Sequence, residues 1–164
     1  MKYGIFTKPI HVEKIVNYLN QYTDMDYIIS TVKAEIYGYI FDIGVSYCWP
    51  WKIDIDYPYD LTMEKTKNGY REINRRTWFN YHPSPLPKYS GFSCYADAIN
   101  DGVKEYGVTL HRMTDVIDNG EIIEQKTFPL HTLPCNTNEL GCITHYWLFQ
   151  LFKETIETLE KLRR

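Results

Sequence analysis

Asn80 and His82 carry the side chains best suited to chemistry in this 164-residue chain. They stand two positions apart, directly after the apolar run TWF at residues 77–79, which predicts a short buried strand. Alternate residues of a strand leave the same face, so the two side chains are expected to lie together. The amide supplies a neutral hydrogen-bond donor, and the imidazole supplies a base that titrates near neutrality. The pattern is typical of a reaction site, but also of a proline-rich surface loop with an incidental histidine.

The segment after this pair predicts a stiff, irregular loop. Residues 80–91 read NYHPSPLPKYSG, with prolines at positions 83, 85 and 87. Each proline lacks a backbone donor and restricts the residue before it. Gly91 permits a turn that larger residues resist. We therefore expect the loop to hang from the end of the strand that holds Asn80 and His82.

Asp118 lies in DVIDNGEII, where residues 115–120 predict a turn between alternating strands at residues 106–113 and 121–130. The Asp-Asn-Gly sequence is also good turn chemistry, so Asp118 taken alone reads as structural. His111 falls inside the first of the two strands and receives no role.

The order of predicted elements indicates an α/β fold. Strands at residues 2–7 and 26–30 flank a helix that begins near Pro9 and ends near Tyr22, a parallel βαβ unit with a right-handed crossover. A third strand is expected at residues 41–47, a short helix at residues 31–39 and another at residues 93–100. Asn136 and Glu139 predict the capped start of a final helix that reaches residue 162. In such sheets ligands bind beyond the carboxyl ends of the strands.

Residues 53–76 are the hardest part of the chain to interpret. They are polar, alternate in charge and contain Pro58 and Gly69. This composition predicts either a long loop with one helical turn or a partly mobile segment. Long loops in compact domains tend to be functional or disordered.

Composition excludes several classes of protein. A net charge of −3 argues against a nucleic-acid partner, and no apolar run is long enough to span a membrane. The sequence has no signal peptide, and its four cysteines form no CxxC pair, which favours a reduced, cytoplasmic protein. The spacing of Cys135, Cys142 and His145 matches no recognised metal motif, so no metal is expected.

Asn80, His82 and Asp118 together resemble the signature of the N10-formyltetrahydrofolate-dependent formyltransferases. That family includes the glycinamide ribonucleotide, methionyl-tRNA and sugar N-formyltransferases, and its motif resembles N-x-H-P-S-L-L-P-x-x-x-G followed by D-x-G-x-I. The similarity runs from about residue 77 to residue 130 and is weaker over residues 1–50. Pro85 stands where the family usually has leucine, and the middle of the chain is shorter than usual.

The resemblance implies a single Rossmann-like domain over residues 1–164, with a mostly parallel sheet that is abbreviated in the middle. Asn80 would stabilise the oxyanion, His82 would act as general base and Asp118 would orient His82. The folate donor, N10-formyltetrahydrofolate, would contact two segments, consisting of Ser46, Tyr47, Cys48 and Trp49 in one and Asp115, Val116 and Ile117 in the other. The residues expected to contact the amine substrate are Thr7, Lys8, Lys88 and Tyr89.

The substrate follows only by elimination. A tRNA-binding domain and the glycine-rich phosphate loop of the glycinamide ribonucleotide enzymes are both missing, which favours a nucleotide-linked amino sugar. A formyltetrahydrofolate hydrolase, a glycinamide-ribonucleotide-type enzyme and a non-catalytic folate-binding relative remain alternatives, and a homodimer is possible.

Overall fold

The computed structural model describes residues 1–33, 35, 41–53, 61–66, 69–75 and 77–162. Its eight strands are β1 (Lys2–Thr7), β2 (Asp26–Ser30), β3 (Ile43–Tyr47), β4 (Leu61–Thr66), β5 (Gly69–Arg75), β6 (Thr77–His82), β7 (Glu105–Arg112) and β8 (Ile122–Pro129). Its helices are α1 (Pro9–Tyr22), α2 (Cys94–Asn100) and α3 (Thr137–Thr155), and α3 continues into a 3₁₀ helix at Ile156–Leu162. None of the described helices is long and apolar enough to cross a membrane.

Six of the described strands form one mixed sheet in the order β2-β1-β3-β6-β7-β8. The first four are parallel to one another, whereas β7 is antiparallel to both β6 and β8. The predicted α/β class, with a mostly parallel Rossmann-like sheet and helices, is confirmed. The carboxyl ends of β1, β3 and β6 meet at one edge, where Asn80 and His82 lie.

Most predicted elements lie within two residues of the observed ones. The strands at Lys2–Thr7 and Asp26–Ser30 agree at both ends, and β3 begins two residues later than expected. Strand β6 continues past the TWF run to His82, and β7 and β8 form the predicted antiparallel pair. The helix expected at residues 31–39 falls largely outside the described residues, because residues 34 and 36–40 are not among them.

The loop predicted for residues 53–76 is wrong for the described part of that segment. Strands β4 and β5 pair antiparallel there, with an irregularity between Thr62 and Met63. Strand β5 begins three positions after β4 ends, and the sequence Asn68-Gly69 at that point is a short-range hairpin signal. The charged residues around it concealed this signal in the sequence.

Asn136 begins α3 as predicted. Its side-chain oxygen accepts hydrogen bonds from the backbone N–H groups of Asn138 and Glu139, each at 3.0 Å. The carboxylate of Glu139 accepts from the N–H of Cys135, one residue before the usual capping-box partner. The helix is therefore fixed at its start, and Asn136 and Glu139 do form a capping pair.

One face of the sheet packs against the helices. Ile15 and Leu19 of α1 and Leu148 and Phe152 of α3 are buried in one large core with alternate strand residues, namely Ile5, Val45, Tyr47, Phe79 and Tyr81. The hydroxyl of Tyr18 on α1 donates to the carbonyl of Lys153 on α3 at 2.9 Å, which joins the two helices.

The other face carries an aromatic cluster, made of Phe6, Phe41, Trp49 and Trp78 together with Ile53. The rings of Phe6 and Trp78 lie 5.6 Å apart, and those of Phe41 and Trp78 lie 5.3 Å apart in an edge-on arrangement. Gly4 and Gly44 are register partners on β1 and β3, and they form the floor beneath these rings. A Cβ atom at Gly44 would lie 2.2 Å from the Trp78 ring, and one at Gly4 would lie 2.6 Å from the Phe41 ring.

Because the glycine floor leaves no space for a methyl group, we expect Gly44→Ala to destabilise the protein by about 1–3 kcal/mol, the usual cost of overpacking. Gly141→Ala is the matched control. It lies within α3, where a Cβ would make ordinary 3.5 Å contact with Tyr95, and it should stabilise by up to about 1 kcal/mol. Urea unfolding measures both changes, and equal effects of the same sign would contradict this account.

Candidate active site

Asn80 lies at the centre of a row of three polar residues that runs across the sheet. Ser46 on β3 and His111 on β7 are its register partners on either side. The hydroxyl of Ser46 donates to Oδ1 of Asn80 at 2.8 Å, and Nδ2 of Asn80 lies 3.1 Å from Nε2 of His111. The amide is therefore held from both sides, with its NH₂ group turned away from Ser46.

His111 has one neutral tautomer that satisfies its hydrogen bonds with Arg112 and Asn80. Its Nδ1 lies 2.9 Å from the carbonyl oxygen of Arg112, which can only accept, so Nδ1 carries the proton. Nε2 is then an acceptor for one N–H of Asn80. The second N–H of Asn80 points toward Oδ1 of Asp118, at a long 3.5 Å, and remains available to a ligand.

His82 is buried beside the same carboxylate. Its Nδ1 lies 3.5 Å from Oδ1 of Asp118, and its Nε2 lies 3.5 Å from the carbonyl oxygen of Tyr89. Burial lowers the pKa of His82 below its ordinary value, and the negative charge of Asp118 offsets part of that effect. The ring is therefore neutral at pH 7, and the carboxylate favours the tautomer with the proton on Nδ1.

Asp118 is held in place by its backbone. It adopts a positive φ of 53°, which is uncommon outside glycine, and its Oδ2 accepts a 2.8 Å hydrogen bond from the N–H of Gly91. A Cβ atom at Gly120 would lie 1.6 Å from the carbonyl oxygen of Arg112, so only glycine allows the turn to approach β7 this closely. Burial opposes the charge on Asp118, but contacts with His111, His82 and Gly91 together hold its pKa below the ordinary value.

The proline-rich loop is tied to the sheet by Thr109, the register partner of His82. The Thr109 hydroxyl donates to the carbonyl of Ser84 at 2.7 Å and accepts from the N–H of Leu86 at 3.1 Å. Gln125 on β8 donates to the Leu86 carbonyl at 2.8 Å and to the Thr109 hydroxyl at 2.9 Å. These bonds fix the loop that follows His82.

An open cavity of about 240 Å³ lies beyond the carboxyl edge of the sheet. This is close to the lower end of the range of roughly 300–1,000 Å³ typical of small-molecule sites. The three predicted catalytic residues line it, and so do most of the other predicted contacts, namely Ser46, Cys48, Trp49, Asp115, Val116, Ile117 and Lys8. The cavity wall also includes Trp51, Phe92, Tyr95 and His145.

Four predicted contacts do not line this cavity. Tyr47 alternates with Ser46 and points into the helix-side core, while the buried Thr7 hydroxyl donates to the Tyr47 carbonyl at 2.8 Å. Lys88 is exposed and pairs with Asp101 at 3.3 Å. The Tyr89 hydroxyl also donates to Asp101, so Tyr89 approaches the site only through its backbone carbonyl beside His82.

Sequence reasoning missed His111, Thr109 and Gln125. All three occupy positions on β7 or β8 opposite residues of β6 or β7, and their roles depend on the cross-strand register. The signal was present as polar residues in otherwise apolar strands, since a buried polar side chain needs a partner. The pattern of residues within one strand does not reveal which residue of the neighbouring strand each polar side chain contacts.

Comparisons with known proteins agree with this geometry. Residues 72–139, which carry Asn80, His82 and Asp118, match the family model described as formyl transferase. The phosphoribosylglycinamide formyltransferase of Haemophilus influenzae is 43% identical over 51 residues, which cover 31% of this chain and 24% of that protein. The match to this curated relative thus spans about a quarter of its length.

Solved structures extend the similarity to the whole fold. An N-formyltransferase from Helicobacter canadensis, in complex with folinic acid and dTDP-3-aminofucose, superposes with a TM-score of 0.70 at 20% identity, over 99% of this chain and 64% of that one. The phosphoribosylglycinamide formyltransferase of Campylobacter jejuni superposes with a TM-score of 0.69 at 16% identity, over 97% of each chain. The chain has the formyl transferase fold. The match to the family model covers residues 72–139 of the chain.

Because the charge of Asp118 raises the pKa of His82 against the effect of burial, Asp118→Asn should lower that pKa further. The change is measured by following the His82 ring in an NMR pH titration without ligand. In the unmodified protein and in Asp118→Asn, His82 binds a proton more readily in the unfolded chain than in the folded one. The contribution of His82 to stability is therefore lost as pH falls below about 6.5, the unperturbed histidine pKa. Asp115→Asn, an exposed carboxylate in the same turn, is the control, and an unchanged or higher pKa in Asp118→Asn would contradict this electrostatic role.

Proposed function

We propose that this protein transfers a formyl group from N10-formyltetrahydrofolate to the primary amine of a small molecule. The observation that carries the proposal is the convergence of Asn80 and His82 on one oxygen of Asp118, each at 3.5 Å, in the wall of an open cavity. The family supports formyl transfer, and the folinic acid named with the Helicobacter canadensis structure supports a folate donor.

The chemical step requires a hydrogen-bond donor and a base on either side of the formyl carbon. The amine nitrogen attacks that carbon, and the carbonyl electron pair moves to oxygen. The N–H of Asn80 that points toward Asp118 at a long 3.5 Å turns to the oxyanion and stabilises it, a contact typically worth about 2.7–4 kcal/mol of barrier. His82 takes the proton that the amine loses. The intermediate then collapses, the bond from carbon to N10 breaks, and N10 receives the proton that His82 took from the amine.

The surroundings of His82 suit a base. Burial keeps the ring neutral, and the Asp118 carboxylate beside Nδ1 leaves Nε2 as the atom with the free lone pair. After Nε2 gains a proton, the Tyr89 carbonyl 3.5 Å away becomes a hydrogen-bond acceptor for it. The same site therefore accommodates both protonation states during turnover.

The apolar part of the cavity suits the flat pteridine ring of the folate. Val116 and Ile117 are more than half exposed, at 53% and 55%, although both are apolar, and Trp49 lies in the same wall. Apolar side chains would cover the faces of the ring, while backbone groups of the segment at residues 115–117 would bind its polar edge.

We infer that the amine belongs to a nucleotide-linked amino sugar. The dTDP-3-aminofucose named with the Helicobacter canadensis structure supports this class. Lys8, at the cavity wall before α1, is suited to the phosphate groups of such a nucleotide.

A glycinamide-ribonucleotide-type substrate is the second candidate, because one observation favours it. The Campylobacter jejuni phosphoribosylglycinamide formyltransferase is matched over 97% of its length, whereas the N-formyltransferase from Helicobacter canadensis is matched over 64%. The chain therefore corresponds in extent to the enzyme whose name gives phosphoribosylglycinamide as its substrate.

We expect Asn80→Ala and His82→Ala each to lower kcat/KM for formyl transfer at least about a hundredfold, from the usual size of oxyanion and general-base effects. Transfer is measured by the appearance of tetrahydrofolate and by the mass of the formylated product. Asn17→Ala and His131→Ala, which change an exposed asparagine and an exposed histidine, are the matched controls and should keep full activity. Binding of folate with no rate loss in either alanine variant would identify a non-catalytic relative.

A panel of amines separates the candidate substrates. We expect dTDP- or UDP-linked amino sugars to gain one formyl group, with glycinamide ribonucleotide unreacted. Formylation of glycinamide ribonucleotide alone would replace the sugar proposal with the second candidate. Release of formate at the same rate with and without any amine would instead identify a hydrolase.

A further inference from the structure

Three potential metal ligands meet at the helix side of the cavity. His11 lies on α1, Cys48 directly follows β3, and His145 lies on α3. One ligand atom from each residue lies within 4.8 Å of the others. Cys48 and His145 also line the cavity, whereas His11 is buried behind them at 2% exposure. Residues from three distant parts of the chain thus bring two imidazoles and a thiol together.

His11 offers an independent indication of a ligand. Its Nε2 is buried and has no hydrogen-bond partner among the described residues, and the same is true of the hydroxyl of Tyr47, whose ring packs edge-on against His11 at 5.3 Å. Buried polar groups nearly always have partners, so an unpaired imidazole nitrogen beside a thiol and a second imidazole needs an explanation. A bound cation would supply the missing partner for Nε2.

The protonation states of the group suit a metal. Burial lowers the pKa of His11 to about 3 and that of His145 to about 4, so both rings are neutral at pH 7 and keep a free lone pair. Burial raises the pKa of the Cys48 thiol to about 12, while the charges of Lys8 and Lys14 act in the opposite direction. A coordinated metal deprotonates a thiol outright.

The donor types favour one class of ion. Two imidazoles and one thiolate are typical ligands for Zn²⁺, whereas Mg²⁺ and Ca²⁺ prefer oxygen ligands. Ligand atoms bonded to zinc at about 2.0–2.3 Å lie about 3.5 Å from one another in a tetrahedral site. The ligand atoms of the three groups, which lie within 4.8 Å of one another, must therefore move closer together when the ion binds.

We propose that His11, Cys48 and His145 bind a Zn²⁺-class divalent ion through three protein ligands. The fourth position faces the cavity, where a water molecule or an oxygen atom of a bound substrate completes the coordination. The nearby ammonium groups of Lys8 and Lys14 oppose binding of a cation, and the thiolate of Cys48 offsets that repulsion. The site is distinct from Asn80, His82 and Asp118, which hold no metal in the proposed formyl transfer.

Cobalt binding to the full chain tests the site, because Co²⁺ bonded to a thiolate gives a sulfur-to-metal absorption band in the near ultraviolet. We expect the metal-free protein to develop this band at one equivalent of Co²⁺ and to lose it when Zn²⁺ is added. Cys48→Ser should abolish the band. His145→Ala should weaken binding more than about a hundredfold, since even outer-shell changes at metal sites cost about 10–100-fold.

Matched controls are provided by Cys142→Ser and His131→Ala, which remove an exposed thiol and an exposed imidazole and should leave the titration unchanged. Circular dichroism shows whether each variant is folded. If Cys48→Ser fails to fold, His145→Ala, which changes a half-buried residue, provides the test. A band that persists in Cys48→Ser, or that disappears in Cys142→Ser, would overturn the proposal. Stabilisation by inorganic phosphate but not by Co²⁺ or Zn²⁺ would also overturn it and indicate an anion site at Lys8 and Lys14.

Discussion

The carboxylate of Asp118 is the constraint on which the rest of the site depends. One oxygen accepts the N–H of Gly91 at 2.8 Å, and the other lies within 3.5–3.6 Å of Asn80, His82 and His111. A single side chain thus joins the end of the proline-rich loop to two adjacent strands. Its position is set by backbone geometry, since the positive φ of Asp118 and the close approach of Gly120 to Arg112 leave the turn little freedom.

The sheet acts as a fixed frame for the residues of the candidate site. Ser46, Asn80 and His111 form one row across β3, β6 and β7, and His82, Thr109 and Gln125 form the next row across β6, β7 and β8. The first row orients the amide, and the second secures the loop after the imidazole. Sites built on strands are more precise than sites on loops, and Asn80 and His82 both belong to β6.

The strand periodicity of residues 77–82 was enough to predict that Asn80 and His82 share a face. The addition of Asp118 depended on the resemblance to a known motif, because its DNG sequence alone is ordinary turn chemistry. The role of His111 was not predictable, since it depends on the pairing of β6 with β7. The core position of the Tyr47 side chain has a simpler cause. A contiguous segment was assigned to the ligand although the side chains of alternate strand residues face opposite sides of the sheet. The β4–β5 pair was missed because charged residues surround the sequence Asn68-Gly69.

The glycine floor beneath Phe41 and Trp78 has a consequence for how this protein can evolve. A helix packed on a sheet tolerates many exchanges among similar apolar residues, because its backbone can shift to accommodate them. Flat rings that lie directly on the backbone of the sheet cannot shift in the same way. The residue types at positions 4 and 44 therefore depend on the aromatic residues that cover them. Substitution on this face therefore has to proceed by paired changes, and lineages that carry the arrangement should diverge more slowly there than on the face covered by α1 and α3.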